Sequence, residues 1–217
     1  MRDYRGLHAK EDCRFFGPAR LNSTVTADVF LVEQYIRREK EYVTVEGRFV
    51  DDRGMLLAIT RATHMLVDHD PGRTRARSPA AAASLVEGGL LSDLPPLTKA
   101  MTLEKQQLYS GPGRNYHTDD AVAQRLGFDR AFAQGLMSFA YLSEMLTGCF
   151  GESWLYSGRL AVNFLRRVYP GDVLTCGGRL RTRTFQGSKE PLGLDVWCAN
   201  QAGALVTVGV AYGYKEL

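Results

Sequence analysis

The feature that most limits how this chain can fold is an internal repeat. A gap-free shift of 149 residues, from Phe15 to Phe164, superposes residues 15–66 on residues 164–215. The two segments carry identical residues at matching positions: Phe15 and Phe164, Thr26 and Thr175, Leu31 and Leu180, Gly54 and Gly203, Leu56 and Leu205, Ala62 and Ala211. The turn at 51–54 (DDRG) falls on residues 200–203 (NQAG). Coinciding turns and apolar positions predict two copies of one supersecondary unit.

Residues 14–66 have the composition and alternation of β-strands. The segments 23–32 and 41–50 are rich in β-branched and aromatic residues, which favour a pleated backbone. Residues 51–54 supply Asp and Gly for a tight turn, and residues 55–64 follow as a returning strand. No spacing in this stretch indicates a long helix. The first half is therefore predicted to be an antiparallel meander.

Residues 106–163 have no counterpart in the first half, and they contain the predicted helices. The segment 118–126 (TDDAVAQRL) begins with Thr118 as the expected N-cap and is followed by Gly127. The segment 134–149 has apolar residues at helical spacing. Strand patterns return at 160–169, 173–184, 193–200 and 205–214. Residues 68–105 are predicted to be a linker, and their basic run at 73–77 is either a solvated loop or a phosphate-binding site.

The composition excludes several classes of protein. Of the 217 residues, 45% are hydrophobic and 24% charged, which is ordinary for a globular chain and unlike disordered or collagenous ones. A net charge of +3 is too small to indicate nucleic acid as a partner. No apolar run is long enough for a membrane helix or a signal peptide. The four scattered cysteines encode neither a disulfide framework nor a zinc site, so we expect core cysteines in a reduced, cytoplasmic protein.

The densest polar cluster is a loop at residues 110–120 (SGPGRNYHTDD), directly before the first predicted helix. If residues 115–117 are extended, the side chains of Asn115 and His117 point the same way. Histidine is the side chain whose unperturbed pKa allows proton transfer in both directions near neutrality. His117 is therefore a candidate acid or base. The alternative is that it only caps or packs beside the helix.

The second candidate is the start of the apolar helix, at residues 133–135 (AQG). A glycine here lets a ligand approach backbone N–H groups at the positive end of the helix dipole. Such donors suit a carbonyl oxygen on which negative charge develops. The alternative is that Gly135 only permits tight packing of helix on sheet. The other histidines (His8, His64, His69) have no partners at metal-ligand spacing, so no metal site is predicted.

These motifs, taken in order, resemble the MaoC-like (R)-specific enoyl-thioester hydratases and dehydratases. They are residues 117–119 (HTD), 123–128 (AQRLGF), 133–137 (AQGLM) and 162–172 (VNFLRRVYPGD), with an altered copy of the last at 15–25. The resemblance covers nearly the whole chain and implies an α+β double hot-dog fold. In this fold two antiparallel sheets lie side by side, and a long central helix is clear only in the second half. The implied parts are a degenerate first half (1–67), the linker (68–105) and a second half with the site (106–217).

The resemblance implies a hydro-lyase that adds water to a 2-enoyl thioester or removes it from a 3-hydroxyacyl thioester. The acyl carrier would be coenzyme A or acyl-carrier protein, and no cofactor is implied. The catalytic residues would be His117 as the acid/base, Asn115 beside it, and Gly135, whose amide would hold the thioester oxygen. The substrate contacts would be Arg114, Tyr116 and Ser138.

The sequence also departs from the family pattern, D-x-N-P-x-H. Pro112 stands at the position of the aspartate, and Gln134 replaces the histidine of A-H-G. Two alternatives therefore stay open. One is a hot-dog enzyme diverted to cyclisation or isomerisation of a polyketide-like chain, and the other is a non-catalytic acyl-binding subunit. A sheet without its own helix leaves apolar surface exposed, which predicts a homodimer or a partner subunit.

Overall fold

The computed structural model describes residues 4–68, 92–181 and 191–214. The strands are β1 (Tyr4–Phe15), β2 (Val25–Arg37), β3 (Lys40–Asp51), β4 (Leu56–Asp68), β5 (Leu97–Ala100), β6 (Arg159–Phe164), β7 (Val173–Leu180), β8 (Leu192–Ala199) and β9 (Leu205–Gly213). The helices are α1 (Leu103–Ser110), α2 (Asp120–Arg125), α3 (Gly135–Phe150) and α4 (Ser153–Ser157). The strands predicted in both halves are confirmed, with ends that shift by up to five residues. Residues 182–184, the predicted end of the strand at 173–184, lie outside the described residues.

All these strands belong to one antiparallel sheet, in the order β2-β3-β4-β1-β6-β9-β8-β7-β5. The two halves, predicted as sheets side by side, are joined where β1 pairs with β6, from Lys10 opposite Asn163 to Arg14 opposite Arg159. Outward from this junction, β4, β3 and β2 follow on one side and β9, β8 and β7 on the other. The repeat therefore relates β1–β4 to β6–β9, and backbone hydrogen bonds make the two halves continuous.

The repeated hairpin turn has the same geometry in both copies. Asp51 Oδ1 accepts hydrogen bonds from two backbone N–H groups of its turn at 2.9 Å, and Asn200 Oδ1 does the same at 3.0 and 3.1 Å. Gly54 and Gly203 follow with φ of 78° and 73°, a region that favours glycine. The short polar side chain and the glycine thus build one turn twice, with Asp in one copy and Asn in the other.

The turns before β2 and β7 are also equivalent. Asn22 and Gly171 have φ of 63° and 95°. The residue after each of them donates its backbone N–H to the carbonyl three residues earlier, at 3.2 and 3.0 Å. Asn is the residue that most readily replaces glycine at positive φ. The altered copy of the motif at 15–25 therefore has the same backbone turn.

The long helix predicted at 134–149 is confirmed as α3, which packs on the second half of the sheet. Its buried side chains recur at helical spacing: Met137, Ser138, Leu142, Met145, Leu146 and Phe150. They meet Leu160, Leu174 and Val196 from the strands beneath. Trp154 of α4 extends this core towards the first half, where its ring lies 5.6 Å from that of Phe15. The hydrophobic core is thus concentrated under α3.

The first half has no helix in the described residues, and its edge strand β2 is exposed. Large apolar side chains on β2 face solvent, including Val29 (63% exposed), Leu31 and Ile36 (78% exposed). In the second half, the sheet face beneath α3 is buried. The open apolar surface expected from the sequence is therefore present on the first half.

Three local predictions differ from the structure. The predicted linker 68–105 is shorter at its second end, because β5 pairs with β7 and α1 begins at Leu103. Residues 69–91, with the basic run and His69, lie outside the described residues. Helix α2 is capped by Asp119 rather than Thr118, since Asp119 Oδ1 accepts the N–H of Val122 at 2.9 Å. Strand β1 was not predicted before residue 14, because charged residues interrupt its alternation.

The structure also bears on the predictions about membrane helices and about cysteines. None of the helices in the described part of the chain has the length and apolar composition needed to cross a lipid bilayer. Cys13, Cys176 and Cys198 are buried and Cys149 is half-buried, which confirms that cysteines fill the core. The sequence did not reveal that Cys176 and Cys198 are opposite each other on β7 and β8, with their Sγ atoms 3.0 Å apart.

Candidate active site

The polar loop before α2 is a turn and not the extended segment considered above. Asn115 O accepts the backbone N–H groups of Thr118 and Asp119, at 3.0 and 2.9 Å. Asn115 Oδ1 accepts the backbone N–H of His117 at 2.8 Å, and Thr118 Oγ1 accepts that of Asn115 at 3.0 Å. These local hydrogen bonds are of the Asx-turn type. Asn115 therefore shapes the loop that presents His117, and its side-chain oxygen is engaged there.

His117 is held by the chain segment that leads into α3. Its Nδ1 lies 2.8 Å from the carbonyl oxygen of Phe132, and its ring meets that of Phe132 edge-on at 5.2 Å. A carbonyl oxygen can only accept a hydrogen bond, so Nδ1 carries the proton and Nε2 is left with its lone pair. Burial lowers the pKa of His117 below its ordinary value, although the bond to the Phe132 carbonyl opposes the shift. The geometry therefore presents a neutral imidazole that is able to accept a proton.

The residues next to His117 in sequence do not share its environment. Arg114 is exposed and pairs with Asp119, with Nε 2.5 Å from Oδ2. Tyr116 packs against His117, with ring centroids 4.0 Å apart, and continues to Phe128 at 5.8 Å. The structure thus places Tyr116 in an aromatic cluster around His117, whereas Arg114 braces the start of α2.

The start of α3 packs very closely on the sheet. Gly135 is its first residue, and a β-carbon built on Gly135 would lie 3.0 to 3.2 Å from three ring atoms of Phe164 at the end of β6. The first N–H groups of a helix have no partner within the helix. Both interpretations of Gly135 thus have support, because the residue permits close packing and also leaves backbone donors at the helix N-terminus.

A small cavity of about 20 Å³ lies at this N-terminus, with room for about one water molecule. Gly135, Ser138, Phe164 and Thr207 are among the residues that line it. Ser138 Oγ donates to the carbonyl of Gly135 at 2.8 Å and lies 2.7 Å from Thr207 Oγ1. Ser138, a predicted substrate contact, therefore ties α3 to β9 within the wall of the cavity.

Gln134 precedes the helix and connects the cavity to α1. Its Nε2 donates to Ser110 Oγ at 3.0 Å, and its side chain lines the cavity. Ala133, next to it, donates its N–H to the carbonyl of Val168 at 2.8 Å. The short segment from Phe132 to Gly135 is thus fixed on both sides, and it connects the anchor of His117 to the α3 N-terminus.

The structure brings most of the predicted residues to one end of α3. Gly135 and Ser138 line the cavity, and His117 is bonded to Phe132, three residues before Gly135. Phe132 and Phe164 were missed as site residues. Phe164 was signalled by its place in the repeat and in the motif at 162–172, whereas the sequence contained no signal for the Phe132 carbonyl. Among the described residues, no group of three or more His, Cys, Asp or Glu side chains is arranged to hold a metal.

Comparison with solved structures identifies the fold. No protein-family model and no curated protein sequence matches the chain. A solved structure described as a MaoC-like dehydratase superposes with a TM-score of 0.75 at 15% identity, over 98% of this chain and 76% of the other. The full-length peroxisomal multifunctional enzyme type 2 from Drosophila melanogaster gives 0.70 at 17% identity, over 96% of this chain and 37% of that one. A Mycobacterium tuberculosis protein described as having a double hot-dog fold gives 0.59 at 14% identity, over 95% and 75%.

The chain therefore has the hot-dog fold of MaoC-like dehydratases, as its motifs predicted. It spans about three quarters of the first structure and little more than a third of the second. At such low identity the likeness establishes the fold, and the chemistry has to be argued from the residues of the site.

Proposed function

We propose that this protein is a MaoC-like hydratase or dehydratase that interconverts 2-enoyl and 3-hydroxyacyl thioesters. One observation carries the proposal: the half-buried imidazole of His117 is hydrogen-bonded through Nδ1 to the carbonyl of Phe132. Phe132 lies in the segment that leads into α3, the long helix that packs on the hot-dog sheet. The order of the family motifs in the sequence supports the same reaction. The acyl carrier is coenzyme A or acyl-carrier protein, and the chemistry requires no metal or organic cofactor.

His117 acts as the acid/base in this proposal. Hydration needs a group that takes a proton from water as its oxygen attacks the β-carbon of the enoyl thioester. Nε2 of His117 has the free lone pair for this step, because Nδ1 is committed to Phe132. Burial, which lowers the pKa of His117, keeps the imidazole neutral and ready to accept a proton at neutral pH. In dehydration the same nitrogen returns the proton to the leaving hydroxyl.

The N-terminus of α3 stabilises the charge that forms on the substrate. Attack on the β-carbon moves electrons into the thioester carbonyl, whose oxygen becomes negatively charged. In the proposal, the Gly135 N–H donates to this oxygen at the positive end of the helix dipole. Close packing on Phe164 holds the donor still, so little reorganisation is needed when the charge develops.

The first test is hydration of 2-butenoyl-coenzyme A, followed by loss of the enoyl absorbance, with wild-type protein and His117→Ala. We expect wild-type turnover and a rate at least ~100-fold lower in the variant, as for the loss of a general acid/base. His64→Ala is the matched control, because His64 is also half-buried but lies on β4 of the first half. We expect His64→Ala to retain the wild-type rate.

Two outcomes would contradict parts of the proposal. Wild-type turnover that survives His117→Ala would keep the activity and reject His117 as its centre. A folded wild type that is inactive on both the coenzyme A and the carrier-protein thioester would reject the hydratase function. A saturated acyl-coenzyme A should then be titrated by calorimetry to measure binding without turnover.

The second candidate function is a non-catalytic acyl-binding subunit, and the exposed strand β2 favours it. Apolar side chains of β2 lie open to solvent in the described structure, with Ile36 at 78% exposure. Contiguous apolar surface of this kind marks sites that another molecule covers. A subunit of this kind would bind the saturated thioester without turnover and would sediment with a mass above that of one chain.

A further inference from the structure

Strand β2 forms one edge of the sheet. It pairs with β3 on one side, and no other strand in the described residues pairs with its outer side. Natural proteins usually protect such an edge by keeping it short, by placing Pro or Lys on it, or by covering it. Strand β2 is 13 residues long and contains neither Pro nor Lys. Its outer side is therefore well suited to pair with another strand.

The equivalent strand of the second half shows what β2 lacks. The repeat makes β7 the counterpart of β2. The outer side of β7 pairs with β5 over residues 173–176, and α3 packs against β7. Leu174 of β7 is consequently 0% exposed, whereas its counterpart Val25 is 41% exposed. The second half thus covers, within the chain, a sheet edge that the first half leaves open in the described structure.

The side chains of β2 indicate what kind of partner would cover this edge. Val29, Leu31 and Ile36 are mostly exposed on one face of the strand, and Phe30 is half exposed on the other. Asp28 and Arg37, towards the two ends of β2, are exposed and make no ion pair within the described residues. A fitting partner therefore presents apolar side chains in the middle and one charge of each sign at the ends.

A β-bulge near the middle of β2 limits how the strand can pair with a second copy of itself. The register with β3 shifts between Leu31, opposite Val45, and Glu33, opposite Thr44, so that Val32 is the extra residue. Side chains alternate between the faces along a strand, and one extra residue reverses this alternation. Odd-numbered residues before the bulge therefore share a face with even-numbered residues after it. An antiparallel pair of β2 strands matches its faces only if the two-fold axis lies next to the bulge.

One register that meets this condition brings together oppositely charged, aliphatic and aromatic side chains. The opposed residues in the two chains are Asp28 and Arg37, Val29 and Ile36, and Phe30 and Tyr35. Each pair occurs twice, because a two-fold axis relates the strands. Cross-strand pairs of these types stabilise antiparallel sheets. The other register that matches the faces would place Glu33 opposite Phe30 and leave the two charges without each other.

We propose that β2 is the homodimer interface of this protein, where two copies join their sheets through antiparallel pairing of residues 28–37. The second copy supplies to β2 the strand that β5 supplies to β7. A second copy is favoured over an unrelated protein because this chain itself carries both charges, at the spacing that the pairing requires. The inference goes beyond the hydratase function and does not depend on it, since β2 lies outside the candidate active site.

The first test is the mass of the protein in solution, measured by sedimentation equilibrium over a range of concentrations. We expect the wild type to have the mass of two chains. Ile36→Lys places a charge opposite Val29 of the other chain and should weaken the dimer at least ~10-fold. Because Ile36 is 78% exposed, this change should leave the fold of each chain intact by circular dichroism. Leu108→Lys is the matched control, since Leu108 is 87% exposed on α1, and it should leave the mass unchanged.

Engineered cysteines test the register. Val29 and Ile36 are seven positions apart on one strand, about 23 Å, which is too far for a disulfide within one chain. In the proposed register, Val29 of one chain lies opposite Ile36 of the other, within disulfide range. The double variant Val29→Cys, Ile36→Cys should therefore become a covalent dimer when treated with oxidised glutathione. Each single variant and the wild type should remain single chains on a non-reducing gel.

Reversing the charges provides a second test of the same register. Asp28→Arg and Arg37→Asp should each weaken the dimer, because like charges then lie opposite each other twice. Mixing these two variants should restore a dimer that contains one chain of each, because every opposed pair again has opposite charges.

Three outcomes would overturn the inference. They are a wild type with the mass of one chain at the highest concentration, a dimer that Ile36→Lys leaves as strong as Leu108→Lys does, and a double cysteine variant that does not cross-link. None of these measurements uses an acyl thioester. Failure of the hydratase function and failure of the proposed interface are therefore distinguishable.

Discussion

Gly135 is the position where the structure predicts an outcome that helix propensity alone would get wrong. Alanine normally stabilises a helix relative to glycine by about 0.5 to 1 kcal/mol. At Gly135, however, the added methyl group would lie 3.0 to 3.2 Å from three carbons of the Phe164 ring. Carbon atoms prefer about 3.5 to 4.0 Å. We therefore expect Gly135→Ala to destabilise the protein.

The size of the stability loss depends on how far the Phe164 ring can move away from the added methyl group. The methyl group approaches the face of the ring, and His8 packs against the ring at 4.9 Å between centroids, so the ring cannot withdraw freely. Overpacking of this kind costs about 1 to 3 kcal/mol. After the gain in helix propensity, a net loss of about 1 kcal/mol remains. For a chain of this size that corresponds to a fall in Tm of about 2 to 4 °C.

Gly148, in the same helix, is the matched control. It is exposed, and a β-carbon there would meet nothing within 4 Å. Gly148→Ala should therefore gain the full helix propensity, about 0.5 to 1 kcal/mol, and leave hydration unchanged. Gly135→Ala should also lower the hydration rate, because α3 must shift at the end that holds the thioester oxygen.

Thermal and urea unfolding of both variants, followed by circular dichroism, checks these opposite signs. Adding Phe164→Leu to Gly135→Ala should recover part of the lost stability, since the smaller side chain makes room for the methyl group. Equal stabilisation by Gly135→Ala and Gly148→Ala would refute the reasoning, because it would mean that α3 does not press on Phe164.

Further expectations concern buried polar groups and close backbone contacts. Burial lowers the pKa of His117 and of His64, and the charge of a neighbouring histidine lowers the pKa of His64 further. Below about pH 6.5 the unfolded chain therefore binds more protons than the folded chain. Urea unfolding should show that the stability decreases as the pH is lowered from that value. The acidic limb of the hydration rate should likewise lie below pH 6.5. Ser138→Ala removes the partner of the buried hydroxyl of Thr207 (1% exposed) and should cost about 1 to 3 kcal/mol, with Thr207→Val reducing the loss in a double-mutant cycle. Gly209→Ala would place a methyl group 2.1 Å from a backbone carbonyl of β6 and should cost at least about 3 kcal/mol, seen as a collapse of Tm or of soluble yield.

Much of the fold was predictable because it depends on residues close together in sequence. The turn at 51–54 and its copy at 200–203 form from one Asp or Asn oxygen and one glycine within four residues. Helix α3 follows from apolar spacing within sixteen residues. Local hydrogen bonds and side-chain periodicity act over a few residues, so the sequence alone specifies them.

The parts that could not be predicted depend on residues far apart in the chain. Strand β1 has a charged, irregular pattern, and it is a strand because β4 and β6 supply hydrogen bonds on both its edges. The same pairing turned two expected sheets into one. The loop 115–117 folds as a turn because Asn115 satisfies backbone groups that an extended segment would leave open.

The site shows the same division. His117 and Gly135 were recognised from their local motifs, yet neither motif contains the partner that orients it. The Phe132 carbonyl holds His117 from fifteen residues away. Phe164 reaches both Gly135 and His8 because its strand, β6, contacts α3 and pairs with β1. The sequence by itself determined which residue types can move a proton or cradle an oxygen. Only the tertiary structure decided which of them meet, because a sheet brings together side chains from strands that are more than a hundred residues apart.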